Sequence, residues 1–349
     1  MVREGLLFAA AALLAGCAGL QSSSGVPGAL PQSGNATALT PPRWQRAVHS
    51  DRSRPWMSPT AKTIKMLLYV GDQATNDVYV YNYKSGKPVG TLTGFDEPYG
   101  MCVDAKGDIY VSNYGGGTVV EYAHGGATPI NTYTSGGTPI GCAVDAKGDV
   151  AATSFDPGEV TVYAKGNASD GTTYSDATCT YLLAMGYDLK RDLVGVGESG
   201  SGKSALCGLL AGSQTMTTVS TSGFTTNPVV GGTTWDGRYF AIDGEGGNFQ
   251  SDIVQATLKG TTLTYVSETA LSDDCYNDYV DVVNPFIVGK KNTPVNEKQG
   301  NAVIGANLWC VDGGTDGMDY WHYPTGGLPY THLKGASSDP YGAAVSIAP

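Results

Sequence analysis

The stretch of this chain that most suggests chemistry is Gly197-Glu198-Ser199-Gly200-Ser201-Gly202-Lys203-Ser204, which matches the P-loop pattern in full. In a working P-loop a strand enters, backbone N–H groups wrap a phosphate, and a helix leaves. Leu193-Val194-Gly195-Val196 would serve as the strand, and Ala205 onward as the helix. Gly208 and Gly212 weaken any such helix, and neither a βαβ continuation nor a second acidic strand for Mg2+ follows. Gly197, Gly202, Lys203 and Ser204 are therefore read as a chance match across a hairpin, and no nucleotide site is expected.

Carboxylates form the next set. Asp104, Asp145, Asp188 and Asp236 recur at regular intervals. A catalytic acid is needed once, whereas a turn former is needed in every repeat, so these four are assigned to turns. A second group, Asp72, Asn113, Asp156, Asp243 and Asp312, falls in Gly-rich loops predicted to share one face. Oxygen-rich loops of this kind suit Ca2+, which is the one ion considered, or a polyhydroxylated or cationic ligand. They are equally the composition of solvated loop tips. Tyr99, Met101, Tyr341 and Trp235 either line a mouth on this face or pack between repeats. His49, His124, His322 and His332 lie in a linker and on predicted outer strands and do not converge. No Ser-His-Asp or paired-carboxylate arrangement stands out, so no catalytic residue and no cofactor are assigned.

The elements that must position these residues come from a repeat. Pro98-Tyr99-Gly100-Met101-Cys102-Val103-Asp104-Ala105-Lys106-Gly107-Asp108 returns 41 residues later as Pro139 to Asp149, and a truncated copy, Pro340-Tyr341-Gly342-Ala343-Ala344-Val345, stands near the far end. Each unit reads as four short strands with turn residues between them: Gly-x-x-Val-Asp, then Ile109–Asn113, Thr118–Tyr122 and Pro129–Thr134. Matching pieces occur at Leu67–Val70, Asp77–Tyr81, Lys87–Thr91, Glu159–Tyr163, Gly317–Trp321 and Leu328–His332, with weaker first strands at Gly186–Asp188, Gly232–Asp236 and Val280–Val283. A period of about 47 residues is that of a propeller blade. The first unit begins at its second strand, and Gly342–Ile347 supply the missing first one. The fold expected is therefore all-β: a six-bladed β-propeller of four-stranded antiparallel blades over residues 64–349, its ring closed by the C-terminal strand joining the first blade. Closure removes sheet edges that would otherwise aggregate.

These units resemble NHL-type six-bladed β-propellers, a class that also holds gluconolactonase-like and streptogramin-lyase-like proteins. The resemblance implies a fold, and a fold alone assigns no function. Two functions stay open. One is a binding or scaffold module for a protein, glycan or small ligand, which is favoured. The other is a metal-dependent lactonase- or lyase-like hydrolase with its site at the pore mouth.

Composition agrees. Forty-nine Gly, 21 Tyr and only 15% charged residues suit many strands with tight turns. The formal net charge of −11 supplies no basic stripe to neutralise phosphates, so nucleic acid is not expected as a partner. At the N-terminus, Arg3 and the apolar run Leu6–Leu14 read as an export signal over residues 1–16, too short for a permanent span of ~20 residues. Leu14-Ala15-Gly16-Cys17 resembles the lipobox of bacterial lipoproteins. That resemblance implies lipidation of Cys17, and Ala18 after it implies the outer membrane of the cell envelope. Residues 17–63, rich in Ser and Pro, read as a disordered tether. The body is expected to be monomeric. Besides Cys17, the chain carries Cys102, Cys142, Cys179, Cys207, Cys275 and Cys310, which an exported protein either pairs or buries as thiols. Cys275 with Cys310 is the pairing preferred, although spacing cannot choose among the alternatives.

Overall fold

In the computed structural model each Asp of the repeat is the acceptor for its own turn. Asp104 Oδ1 accepts the N–H groups of Lys106 and Asp108 at 2.8 and 2.9 Å. Asp145 does the same for Lys147 and Asp149, Asp188 for Lys190 and Asp192, and Asp236 for Arg238 and Tyr239. The left-handed position of the turn is Gly107 (φ 82°) in one copy and Gly148 (φ 83°) in the next. These turns reverse the chain between the first and second strands of a sheet.

The structure describes residues 54–199, 201, 203–224, 232–245, 251–271, 275–283, 301–310, 317–328, 330–334, 337 and 340–348. All belong to one unit, Trp44–Pro349, and its architecture is all-β. Strands β1 (Trp56–Met57), β2 (Met66–Asp72), β3 (Asp77–Asn82) and β4 (Pro88–Leu92) lie in the first sheet. β5 (Pro98–Val103), β6 (Ile109–Asn113), β7 (Thr118–Tyr122) and β8 (Pro129–Thr134) make the second, and β9 (Pro139–Val144), β10 (Val150–Ser154), β11 (Glu159–Tyr163) and β12 (Gly171–Ser175) the third. β13 (Tyr181–Tyr187), β14 (Leu193–Glu198), β15 (Ser204–Leu209) and β16 (Thr217–Ser222) follow, and then β17 (Thr233–Trp235), β18 (Phe240–Glu245), β19 (Ser251–Lys259) and β20 (Thr262–Ala270). These two sets are joined into one eight-stranded sheet by a parallel contact between β16 and β20. β21 (Cys275–Val283), β22 (Asn301–Cys310), β23 (Gly317–Tyr323) and β24 (Thr331–Lys334) form another four-stranded antiparallel sheet. The fourth strand of that sheet starts a few residues later than the repeat suggests.

The last strand, β25 (Pro340–Ile347), returns to the first sheet and pairs antiparallel with β2, Met66 opposite Ile347 and Gly71 opposite Gly342. First strands of successive sets then adjoin in a circuit: β25, β5, β9, β13, β17, β21 and back to β25. Alternating side chains fill the gaps between neighbouring sheets. Leu67, Tyr69 and Val78 pack with Ile109 and Val111 of the second sheet, while Leu68, Val70 and Tyr79 pack with Met318 and Tyr320.

Two expectations change. Residues 54–63, assigned by composition to the tether, are part of the folded body. Trp56 pairs with Thr91 and Met57 with Gly90 at the outer edge of the first sheet, and Ala61 is fully buried. Gly90 makes this possible, since a Cβ there would strike the Met57 side chain. Cys17 and everything before Arg54 lie outside the described residues. Secondly, cysteine pairing becomes partly defined. Cys102–Cys142 joins β5 to β9 (Cα–Cα 5.6 Å), and Cys179–Cys207 ties the segment before β13 to β15 (6.5 Å). The backbone register sets Cys275 opposite Cys310; their side chains lie outside the described residues.

The turn aspartates have a second role that the repeat does not reveal. In Asp145 and Asp236 one carboxylate oxygen serves the turn, and the other reaches the neighbouring sheet. Asp145 Oδ2 and Asp149 Oδ2 hold the guanidinium of Arg191, which belongs to the next Asp turn. Asp236 Oδ2 accepts the Tyr323 hydroxyl at 2.6 Å, and Gln255 Nε2 donates to that same hydroxyl at 2.8 Å. Arg191 stands where Gly107 and Gly148 stand in the other copies, with φ 74°, a conformation costly for a side-chain-bearing residue.

The P-loop-like run lies across the β14–β15 hairpin. Glu198 pairs with Ser204, Ser199 N–H donates to Lys203 O at 2.8 Å, and the residues after Lys203 continue as strand rather than helix.

Arg191→Ala is expected to destabilise the fold by about 1–3 kcal/mol, since it leaves the buried Asp145 carboxylate without its cation. Arg191→Gly is expected to recover about 1 kcal/mol of that loss by relieving the left-handed backbone; urea unfolding of the two variants measures the order. Lys203→Ala should leave the melting temperature unchanged, and titration calorimetry should find no ATP affinity in either protein.

Candidate functional site

Second strands end, and first strands begin, at the same end of the sheets. The register makes four strand-end residues equivalent: Asp72 opposite Pro340, Asn113 opposite Pro98, Ser154 opposite Pro139 and Glu198 opposite Tyr181. Asp72 and Asn113 stand at this end, and Asp156 follows β10 there.

Their polar atoms are engaged locally. Asp72 is fully buried, and its Oδ1 accepts the Thr75 N–H at 3.0 Å, which caps its own loop. Asn113 Oδ1 accepts the Asp96 N–H at 2.6 Å and clamps the strand connection beside it. Asp156 is exposed; its N–H donates to Thr138 Oγ1 at 3.2 Å. Asp243 departs from expectation. It lies in the body of β18 opposite Ile253, is 2% exposed, and donates its N–H to Gly232 O. Tyr114 makes the same contact with Glu97 O and Phe155 with Thr138 O, so Asp243 lies at the same end but as a buried residue of a strand that runs on beyond β17, not in a loop. Asp312 lies outside the described residues. Among the described residues, no three His, Cys, Asp or Glu side chains are grouped closely enough to hold a metal ion.

What this end does assemble is an aromatic surface. Tyr99 and Tyr341 meet with ring centroids 5.1 Å apart, and Tyr99 also contacts Tyr114 at 5.8 Å. Phe155 and Tyr181 form a second pair at 5.1 Å. All five are half-buried. The cause lies in the glycines that follow the tyrosines. A Cβ on Gly342 would strike Tyr99 O, and one on Gly100 would lie 2.5 Å from Ile140 O. First strands therefore approach backbone to backbone, which brings Tyr341 and Tyr99 together. Exposed Asp96, Glu97 and Asp156 stand near these rings in sequence and at the same end. Glu97 is held in a left-handed conformation (φ 55°), and its N–H donates to Asn76 Oδ1 at 2.9 Å.

Of the two alternatives left open for Met101 and Trp235, packing between repeats is the one the structure shows. Met101 packs into the core between the first two sheets with its terminal methyl against Gly71. Trp235 sits at the opposite end beside the Asp236 turn, edge-on to Phe240 at 5.2 Å. Tyr114, Phe155 and Tyr181 escaped the sequence reading. Tyr114 and Phe155 stand 41 residues apart, so the repeat offset itself was the signal that would have found them. Of the histidines, His124 is buried rather than on an outer strand, and His322 stacks on Tyr330 at 4.3 Å.

An aromatic surface bordered by carboxylates can stack on the C–H face of a sugar or on a flat or cationic group. Among the described residues no nucleophile–base pair lies within it.

No family model matches the chain, and no curated protein matches it. Among solved structures the chain is similar to one in the crystal structure of a nidogen/laminin complex, with TM-score 0.56 and 11% identity over 81% of this chain and 98% of that one. Weaker similarity extends to virginiamycin B lyase from Staphylococcus aureus (TM-score 0.46, 12% identity, 65% of this chain and 72% of that one). Kuenenia stuttgartiensis hydrazine synthase is comparable (0.48, 14%, 73% and 76%). At 11% identity the first similarity is one of fold, and together with the antiparallel sheets and their circuit it identifies the fold as a β-propeller.

Proposed function

We propose that this chain is a six-bladed β-propeller that acts as an envelope-tethered binding module, with the tyrosine-rich end as its ligand face. The blade count follows if the eight-stranded sheet is divided at the parallel β16–β20 contact into two antiparallel sets. The observation that carries the binding reading is the clustering of Tyr99, Tyr341 and Tyr114, half-exposed, at the end where the loops gather. The neighbouring Asp72 is meanwhile engaged in its own loop, and Asn113 in the strand connection beside it. A lactonase- or lyase-like mechanism needs those same groups to converge on a substrate, so the binding reading is preferred. Propellers accept partner proteins on such faces, and the nidogen/laminin complex is an assembly containing this fold. Glycans and proteins are the ligand classes the surface suits.

The location is part of the same proposal. Cys17 carries the lipid, the segment up to about Arg54 is the tether, and the body faces away from the outer membrane. Two described disulfides fit an oxidising compartment.

Screening the chain against a glycan array and an envelope-protein panel tests the ligand face. A specific ligand is expected whose affinity falls about tenfold or more in Tyr99→Ala, on the scale of an interface aromatic, while the melting temperature of the variant stays within a few degrees. A ligand bound equally by both proteins, or metal-dependent turnover of a lactone, would reject the reading. Separately, incorporation of a labelled fatty acid by expressing cells is expected for the native chain and lost in Cys17→Ser.

A further inference from the structure

His124 follows β7, is 8% exposed, and sits where β25 closes onto the first sheet. Its Nε2 lies 2.8 Å from Ile64 O and its Nδ1 lies 2.6 Å from Ser346 Oγ. Ser346, fully buried on β25, also contacts Gly107 O of the Asp104 turn. One imidazole therefore links the chain ahead of β2, the closing strand, and the second sheet.

Hydrogen counting makes this a switch. Both carbonyls can only accept, so Nε2 must carry a hydrogen for Ile64 O. In the neutral ring Nδ1 is then bare and takes the single Ser346 hydroxyl hydrogen, and the Oγ–Gly107 O contact has no hydrogen between its atoms. Three contacts share two hydrogens. A proton taken from water onto Nδ1 supplies the third: Nδ1–H donates to Oγ, and the hydroxyl turns to Gly107 O. We propose that His124 is a proton-operated clasp on the ring-closing seam, with the Ser346 hydroxyl as its moving part.

The surroundings set the direction. Burial holds His124 below its ordinary range, partly offset by the Ile64 carbonyl. The charged groups near it are Asp108, whose carboxylate accepts the His124 backbone N–H, with Asp104, Glu121 and Lys106 around that carboxylate. Lys62 and Lys65 flank Ile64, and the Tyr69 hydroxyl accepts the Gly125 N–H at 3.0 Å. For a base whose folded pKa lies below its unfolded value, the unfolded chain takes up the proton first. The stability contributed by neutral His124 is therefore present above about pH 6.5 and is lost as the pH falls through the lower folded value.

Imidazole 15N and carbonyl 13C spectra of the protein between pH 7.5 and 4.5 test the clasp, with thermal melts alongside. The Nε2–H tautomer is expected at neutral pH, and the Gly107 carbonyl should shift with the His124 titration. Ser346→Ala should silence Gly107 and lower the His124 midpoint, because the charged ring loses two hydrogen bonds and the neutral ring one. His124→Gln should flatten the loss of melting temperature between pH 7 and 5. An Nδ1–H tautomer at neutral pH, or a Gly107 carbonyl indifferent to the titration, would overturn the proposal. Both readouts come from the unmutated protein, so they stand even if a variant fails to fold.

Discussion

The approach of one first strand to the next, backbone against backbone, is the constraint on which the other features rest. It is permitted by Gly100, Gly342 and Gly186, where a Cβ would meet the carbonyl oxygen of the adjoining strand. A Cβ on Gly141 would meet the Ala184 Cβ and Cα instead. Because these strands lie so close, the residues just ahead of the glycines are drawn together at one end. Tyr99 and Tyr341 touch there, although 242 positions separate them in the chain. The candidate ligand face is a by-product of how tightly the circuit closes.

Closure in turn requires a partner for the inner edge of β2. An unpaired strand edge invites association with other chains, and β25 covers it along nearly its whole length. The seam is reinforced by polar contacts as well as by the ladder. Ala348 N–H reaches Lys65 O at 2.8 Å, and the Ser346–His124 contact crosses from β25 to the second sheet. Elsewhere Cys102–Cys142 ties the second sheet to the third, and the Asp145 and Asp236 carboxylates each divide their two oxygens between their own turn and a neighbouring sheet. Buried acids are costly unless hydrogen-bonded, and Glu121 follows the same rule: it accepts Asn131 Nδ2 at 2.7 Å and the Tyr133 hydroxyl at 2.8 Å. The acidity of this chain is thus partly architectural.

Local features were legible because their physics is local. An Asp that accepts N–H groups two and four residues on, followed by a residue at positive φ, is written in Asp-Ala-Lys-Gly-Asp. The strands after it follow from alternation and turn residues. Trp56–Met57 was missed because a two-residue strand at a sheet edge has no periodicity, and it sits in a Pro-rich stretch that composition assigns to a linker. Asp243 reads as a loop residue but lies in β18, which runs on past the start of β17 to stay paired with β19, and spacing does not show how far a strand continues.

The sequence by itself determined an all-β repeat, the turns that reverse it, and the C-terminal strand needed to complete the first sheet. Each of these depends on spacing within a few residues or on the repeat offset. Only the tertiary structure decided which cysteines meet, why Arg191 occupies a glycine position, that Met101 and Trp235 pack between sheets while Tyr114, Phe155 and Tyr181 join the aromatic end, and that His124 grips Ser346. These depend on contacts between sheets, 222 positions apart in the last case. Distance and direction across such a gap are set by packing, which no periodicity in a single chain encodes.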